Sequence, residues 1–350
     1  MIELLKVILP YIQGLWTLPW ILVGFLVTAF LSSIFNEQKI DSIMKKIGLI
    51  LLYMFVPLLL FRIFLGVDFQ ENEISFALLC IAVFILMYFL AYGYSLYISK
   101  KLKLEGSSRS HFIKTFFTNQ GRSSAFVGGA MLAIAEWQVF AAIYMSVGAL
   151  FLFAIIPYLL SRLYKKTHTS TRQALPWYLR LFPFYLVFVA SLAILLHRYT
   201  GLEISDFGSE GSIVFLFITS ITIPAALYYV GAGIHPHDLK RKEFRQLFSF
   251  SKHINISNHW LWVRHIFLLT VLITPLLTCL FMIPSYLLGI VPNAWFSVII
   301  INSILPITST NMFLVPYGID KRVTALSVTW TTLFCVPIVM VLIYCFSFLF

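Results

Sequence analysis

Asn119, Gln120, Arg122 and Ser123 surround Gly121 in the stretch TFFTNQGRSSAFVGGAMLAIA (115–135), whose flanks are otherwise apolar. A fixed guanidinium among amides and hydroxyls can bind a carboxylate or another anion, or stand in for a coupling cation. Its structural alternatives are to cap loose carbonyls or to snorkel toward a polar boundary. A second cluster lies in VIIINSILPITSTNMFLVP (298–316), with Asn302, Ser303, Pro306, Thr308, Ser309, Thr310 and Asn311. Its oxygens and amides can hold a substrate, coordinate a cation, or simply join helices by hydrogen bonds worth roughly 0.6–2 kcal/mol each. The expected substrate-binding set is Asn119, Gln120, Gly121, Arg122, Ser123, Asn302, Pro306, Thr308, Ser309 and Asn311.

The elements around these residues are membrane spans. The chain has 350 residues, 60% hydrophobic and 11% charged, and a mean hydropathy of +0.91. Apolar runs near 20 residues match the ~30 Å hydrocarbon layer. The alternating ten-residue segments of a membrane β-barrel are absent. Ten spans are expected, at 14–35, 47–66, 75–98, 112–134, 137–161, 180–200, 211–233, 260–283, 293–315 and 322–348. The first run is too long for a signal peptide and lacks a small-residue cleavage site, so it counts as a span.

Basic residues alternate between loops. Lys39, Lys45 and Lys46 fall in the first, Lys100, Lys101, Lys103, Arg109 and Lys114 in the third, and Arg162, Lys165, Lys166, Arg172 and Arg180 in the fifth. Lys240, Arg241, Lys242, Arg245 and Lys252 fall in the seventh, and Lys321 and Arg322 in the ninth; the even loops hold at most Arg198. By the positive-inside rule the odd loops are cytoplasmic and both termini extracytoplasmic, in the plasma (inner) membrane. The net charge of +11 is thereby a matter of topology, and nucleic acid is not an expected partner.

Two five-span halves must enter the membrane from opposite sides, the inverted-repeat arrangement of secondary transporters. The halves are 1–163 and 179–350, with a cytoplasmic linker at 164–178. The second span, YMFVPLLLFRIFLGVDF (53–69), and the seventh, TSITIPAALYYVGAGIHP (219–236), each carry a central proline, Pro57 or Pro224, followed by small or aliphatic residues, an aromatic and a glycine. The fourth and ninth spans hold the two polar clusters. Pro306 removes an amide donor, and Gly121, Gly128 and Gly129 each lower helix propensity by roughly 1 kcal/mol. Non-helical backbone at membrane depth is tolerated only against protein or water. The fold class is therefore an all-α polytopic membrane protein whose helices four and nine are broken and cross.

These motifs resemble the auxin efflux carrier family, within the larger group that includes bile acid–sodium symporters. The resemblance runs through NQG (Asn119–Gly121), Pro57, Pro224 with LYYVGAGI, and above all ILPITSTNMFLVPYGIDKRVTALSVTWTTLFCVPIVMVLI (304–343). It implies a scaffold of spans one, two, six and seven, a mobile transport unit of spans three to five and eight to ten, and elevator-like transport. Arg122 stands where the family often has an aromatic, and Gly128-Gly129-Ala130 where it has a proline, so an auxin-like substrate is not implied.

None of the ten runs contains Asp or Glu, which counts against a carboxylate proton relay. No cofactor is expected; a Na+ or H+ coupling ion is left open. His235-Pro236-His237 lacks a third ligand, so no metal is expected. The four cysteines read as small core residues. Arg62, Arg264, His197 and His265 are expected to snorkel, Trp16, Trp20, Trp260, Trp262 and Trp295 to anchor at the interface, and Ser327, Thr329, Thr331 and Thr332 to pack. No phosphate-binding Gly-rich loop with Lys-Ser/Thr appears. The expected function is a secondary transporter (permease) of a small organic anion, with the lipid bilayer and, as an open alternative, a second copy of the chain as partners. The competing readings are a ten-span acyltransferase and a transporter-like sensor; the first three spans lack the histidine such an enzyme needs.

Overall fold

The computed structural model describes residues 2–9, 19–35, 37–65, 71–122, 131, 135–156, 158–160, 177–232, 259–307, 311 and 318–347. Ser123, Gly128, Gly129, Thr308 and Ser309 lie outside the described residues, as do His235, His237 and the 164–176 part of the linker.

The described chain is almost entirely helical. In order run α1 (Ile2–Ile8), α2 (Trp20–Ile34), α3 (Glu37–Ile50), α4 (Val56–Leu65), α5 (Glu71–Lys101), α6 (Gly106–Thr118), α7 (Ala135–Leu150), α8 (Trp177–Thr200), α9 (Gly208–Ser220), α10 (Thr222–Ala232), α11 (His259–Leu268), α12 (Thr274–Leu287), α13 (Asn293–Ser303) and α14 (Lys321–Ser347). Four helical stretches are long and apolar enough to cross a membrane: Ser42–Leu65, Glu71–Lys101, His259–Leu287 and Arg322–Phe346. A fifth is reached if Phe184–Thr200 and Ile204–Ser220, whose axes turn by 88°, count together. The chain is thus an all-α membrane protein by length and composition. The expected fourth and ninth spans contribute only the short helices α6 and α13 to the described residues, so they do not count toward that number.

The basic residues Lys39, Lys45 and Lys46 sit in α3 rather than in a loop. Apolar content marks the part of a helix that meets lipid, whereas the helix itself continues wherever its backbone bonds can.

Among the described residues three wide π turns interrupt the helices, at Leu51–Phe55, Phe151–Ile155 and Leu269–Ile273. Each is followed, two residues after its end, by a proline: Pro57, Pro157 and Pro275, of which Pro157 lies outside the described residues. A proline ring in a regular helix collides with the carbonyl four residues back. At the first and third turns the chain instead closes five-residue bonds, Val56 N–H to Leu51 O and Thr274 N–H to Leu269 O. The widened turn makes room for the ring without breaking the span.

The chain forms two compact units that interleave along the sequence. The first comprises 1–79, 124–150 and 181–233; the second comprises 80–123, 151–180 and 234–350. In the first unit α2 packs along α10. A Cβ on Gly24 would run into the Tyr228 carbonyl, so the close approach of these two helices requires glycine there, as in small-residue helix seams. Arg62 crosses from α4 to the end of α9, where its Nη1 donates to Thr219 Oγ1 at 2.8 Å, Ser220 Oγ at 2.9 Å and Leu216 O at 3.4 Å. It is a half-buried clasp, not a snorkelling cation. The sequence places Arg62 near the end of an apolar run, but its partners are more than 150 residues away.

In the second unit α6, α11 and α14 share a core of Phe112, Phe116, Trp260, Trp262, Val263, Leu326 and Trp330. Trp260 and Trp262 are 3% and 9% exposed, so they are core residues rather than interfacial anchors. Trp262 meets Phe112 edge-on at 5.0 Å. In lipid such cores are held by tight van der Waals packing more than by water release. Cys80 and Cys335 are buried as expected, while Cys279 is half-buried and Cys345 exposed. His265 turns inward, its Nδ1 2.9 Å from the Tyr94 hydroxyl.

Candidate functional site

The site lies within the second unit, where two helices stop. α6 ends at Thr118; Asn119 caps it with its N–H on Thr115 O, and Gly121 N–H reaches back to Thr118 O. α13 ends at Ser303, and the next turn tightens through Ile304 N–H to Ile301 O and Leu305 N–H to Asn302 O. Just past these ends Arg122 and Ile307 pair as an isolated antiparallel bridge. Gly121 and Pro306 supply the local reasons: one costs helix propensity, the other cannot donate to a continuing helix. The freed backbone groups are met by the opposite break rather than by lipid, as a membrane interior demands. Thr331 of α14 completes the arrangement. Its Oγ1 accepts the Ile307 N–H at 3.1 Å while donating to Ser327 O at 2.6 Å.

The side chains at the junction are buried. Asn119 Nδ2 donates to Thr115 O at 2.8 Å and to Thr324 Oγ1 at 3.1 Å. Its Oδ1 meets no donor among the described residues. Gln120 Oε1 accepts from Arg122 Nη2 at 3.4 Å, and Gln120 Nε2 is left without an acceptor. Asn311 is fully buried, and neither end of its amide has a partner among the described residues. Arg122 is 6% exposed. An aromatic wall follows from Tyr88, which stacks on Phe151 at 5.9 Å and tilts against Phe117 at 5.1 Å.

Gly121 is the tightest point. A Cβ there would lie 2.7 Å from Asn311 Oδ1 and 2.8 Å from Leu152 Cδ1. A side chain at 121 would therefore displace the ends of both the Asn311 and the Leu152 side chains. The structure therefore brings together Asn119, Gln120, Gly121, Arg122 and Asn311, with Pro306 buried beside the bridge. Asn302 faces its own helix, donating Nδ2 to Val298 O at 2.7 Å. Pro57 and Pro224 belong to the first unit, both buried. The sequence reading missed Thr324 and Leu152, and it took Thr331 for packing alone. Their only signals are hydroxyls in ordinary helical positions and a leucine in the π turn after α7, far in sequence from what they touch.

Within α6, before the junction, His111 Nε2 lies 3.6 Å from Asp320 Oδ2, and His111 Nδ1 lies 3.0 Å from Gly318 O. The Asp320 N–H donates to Thr115 Oγ1, and Asp320 Oδ1 accepts from the Val323 N–H. His111 and that backbone bond hold the Asp320 carboxyl below its ordinary range against the opposing effect of burial. Among the described residues no group of three His, Cys, Asp or Glu side chains could hold a metal ion. No protein-family model matches the chain, and no curated protein matches it.

Proposed function

We propose that the chain is a ten-span secondary transporter of a small organic anion, akin to the auxin efflux carriers it resembles in sequence. It sits in the plasma (inner) membrane with both termini outside, and the unit bearing the two breaks carries its cargo across as an elevator. The observation behind this reading is the bridge between Arg122 and Ile307, with a buried cation and incompletely bonded amides gathered on it. A helix broken at membrane depth costs backbone bonds, and a permanently charged residue there costs at least ~2.5 kcal/mol. A site that binds an anion and moves it gives both costs a purpose; a purely structural junction would be more stable with apolar residues of the same size.

The deciding measurement is uptake of labelled organic anions by sealed liposomes holding the purified protein. Uptake that needs vesicle integrity and vanishes in Arg122→Gln, with the fold retained, is the expected result. Chemical modification of an acyl donor that proceeds equally in leaky vesicles would replace this reading with an enzyme. Uptake that survives Arg122→Gln would remove the anion from the site.

A further inference from the structure

Two amides at the junction have a fixed sense. Asn119 has one amide end 2.8 Å from the Thr115 carbonyl and 3.1 Å from Thr324 Oγ1. A carbonyl can only accept, so that end is the NH2 group, and the oxygen is the end left over. Gln120 is fixed the other way. Its 3.4 Å neighbour is a guanidinium nitrogen, which can only donate, so the oxygen faces Arg122 and the NH2 is left over. Both leftover atoms are buried without partners among the described residues, on side chains that are 0% exposed. The junction thus offers a bare acceptor at Asn119 and a bare donor at Gln120, with both senses again at Asn311, all beside the Arg122 cation.

We infer that the ligand of this site is an organic acid that also carries its own hydrogen-bond donor, a hydroxyl or amino group, whose hydrogen meets Asn119 Oδ1 while its carboxylate meets Gln120 Nε2 and Arg122. This rests on the transport reading and narrows it to hydroxy acids and amino acids. A plain carboxylate would satisfy the donors but would bury the Asn119 oxygen against nothing. A buried acceptor left bare is penalised more heavily than a made bond is rewarded, so the site discriminates chiefly by rejecting acids that lack the donor.

The test is binding of two matched sets to the purified protein in sodium-free buffer: propanoate, lactate and alanine, then glutarate, 2-hydroxyglutarate and glutamate. In at least one set the hydroxy or amino acid is expected to bind about ten-fold or more tightly than its parent. The tighter of the two names the donor. Asn119→Leu is expected to erase that gap; a gap that persists overturns the inference. Because Asn119 also caps α6, Asn119→Leu can fail to fold, and the wild-type comparison then decides alone. Equal binding of parent and donor-bearing acids overturns the inference and leaves the transport reading standing, and so does a parent acid that binds as well once sodium is added. Absence of binding by every member overturns the transport reading and the inference together.

Discussion

The two units each hold an arginine among their helices, half-buried in the first and buried in the second, and they treat it differently. In the first, Arg62 spends its Nη1 on the hydroxyls of Thr219 and Ser220 and the carbonyl of Leu216. In the second, Arg122 sits on a broken backbone beside amides that still lack partners, with Thr118, Ser327, Thr329 and Thr332 also incompletely bonded among the described residues. Buried polar groups in a finished structural element are satisfied. A cluster that is not marks where the fold has left work for a ligand. The first unit ties its charge to hydroxyls and a carbonyl, whereas the second sets its charge beside amides with unused ends.

Exchanging the arginines' side chains for glutamine would break that comparison most sharply. Arg122→Gln should lower anion uptake by about 100-fold, the scale expected for losing a buried charge contact, with little change in melting temperature. Arg62→Gln should do the reverse, lowering stability by about 3 kcal/mol through its lost charged hydrogen bonds while uptake per folded molecule stays unchanged. Equal effects of both variants on melting would erase the distinction.

A smaller contrast concerns the two crowded glycines. Gly24→Ala presses on the Tyr228 carbonyl, and Gly121→Ala on the Asn311 amide and a Leu152 methyl. Each should cost about 1–3 kcal/mol in a thermal melt, but only Gly121→Ala should also weaken ligand binding. Thr331→Val leaves the Ile307 N–H without its acceptor and should cost about 1–2 kcal/mol. The smallest effect is acid sensitivity at Asp320. Its folded carboxyl titrates below the unfolded one, so its contribution is complete above about pH 4 and is lost as pH falls through the folded value. Melting measured from pH 6 to pH 3 should therefore fall less steeply in Asp320→Asn than in the wild type.

Much of this was legible in the sequence. The helical class and the long apolar elements follow from run length, and Gly121 and Pro306 lie just past the ends of α6 and α13; Gly128 and Gly129, the other break residues expected from the sequence, lie outside the described residues. The identity of the partners does not. Composition reports that a helix must stop near Asn119; it does not report that Ile307 will take up the loose backbone, or that Thr331, 24 residues beyond Ile307, will take up Ile307. Arg62 was misread for the same reason, since the end of an apolar run looks alike whether water or a distant hydroxyl lies beyond it. Trp262 was misread because an interfacial tryptophan and a core tryptophan can occupy the same place in a hydropathy profile, and only its edge-on contact with Phe112 separates them.

The crowding at Gly121 reaches further than one substitution. Of its two walls, the Asn311 amide carries polarity, whereas the Leu152 methyl carries only bulk. On the transport reading proposed above, a larger cargo has one inexpensive direction in which to be admitted, by shaving Leu152 to alanine or valine, which leaves the Asn311 amide in place.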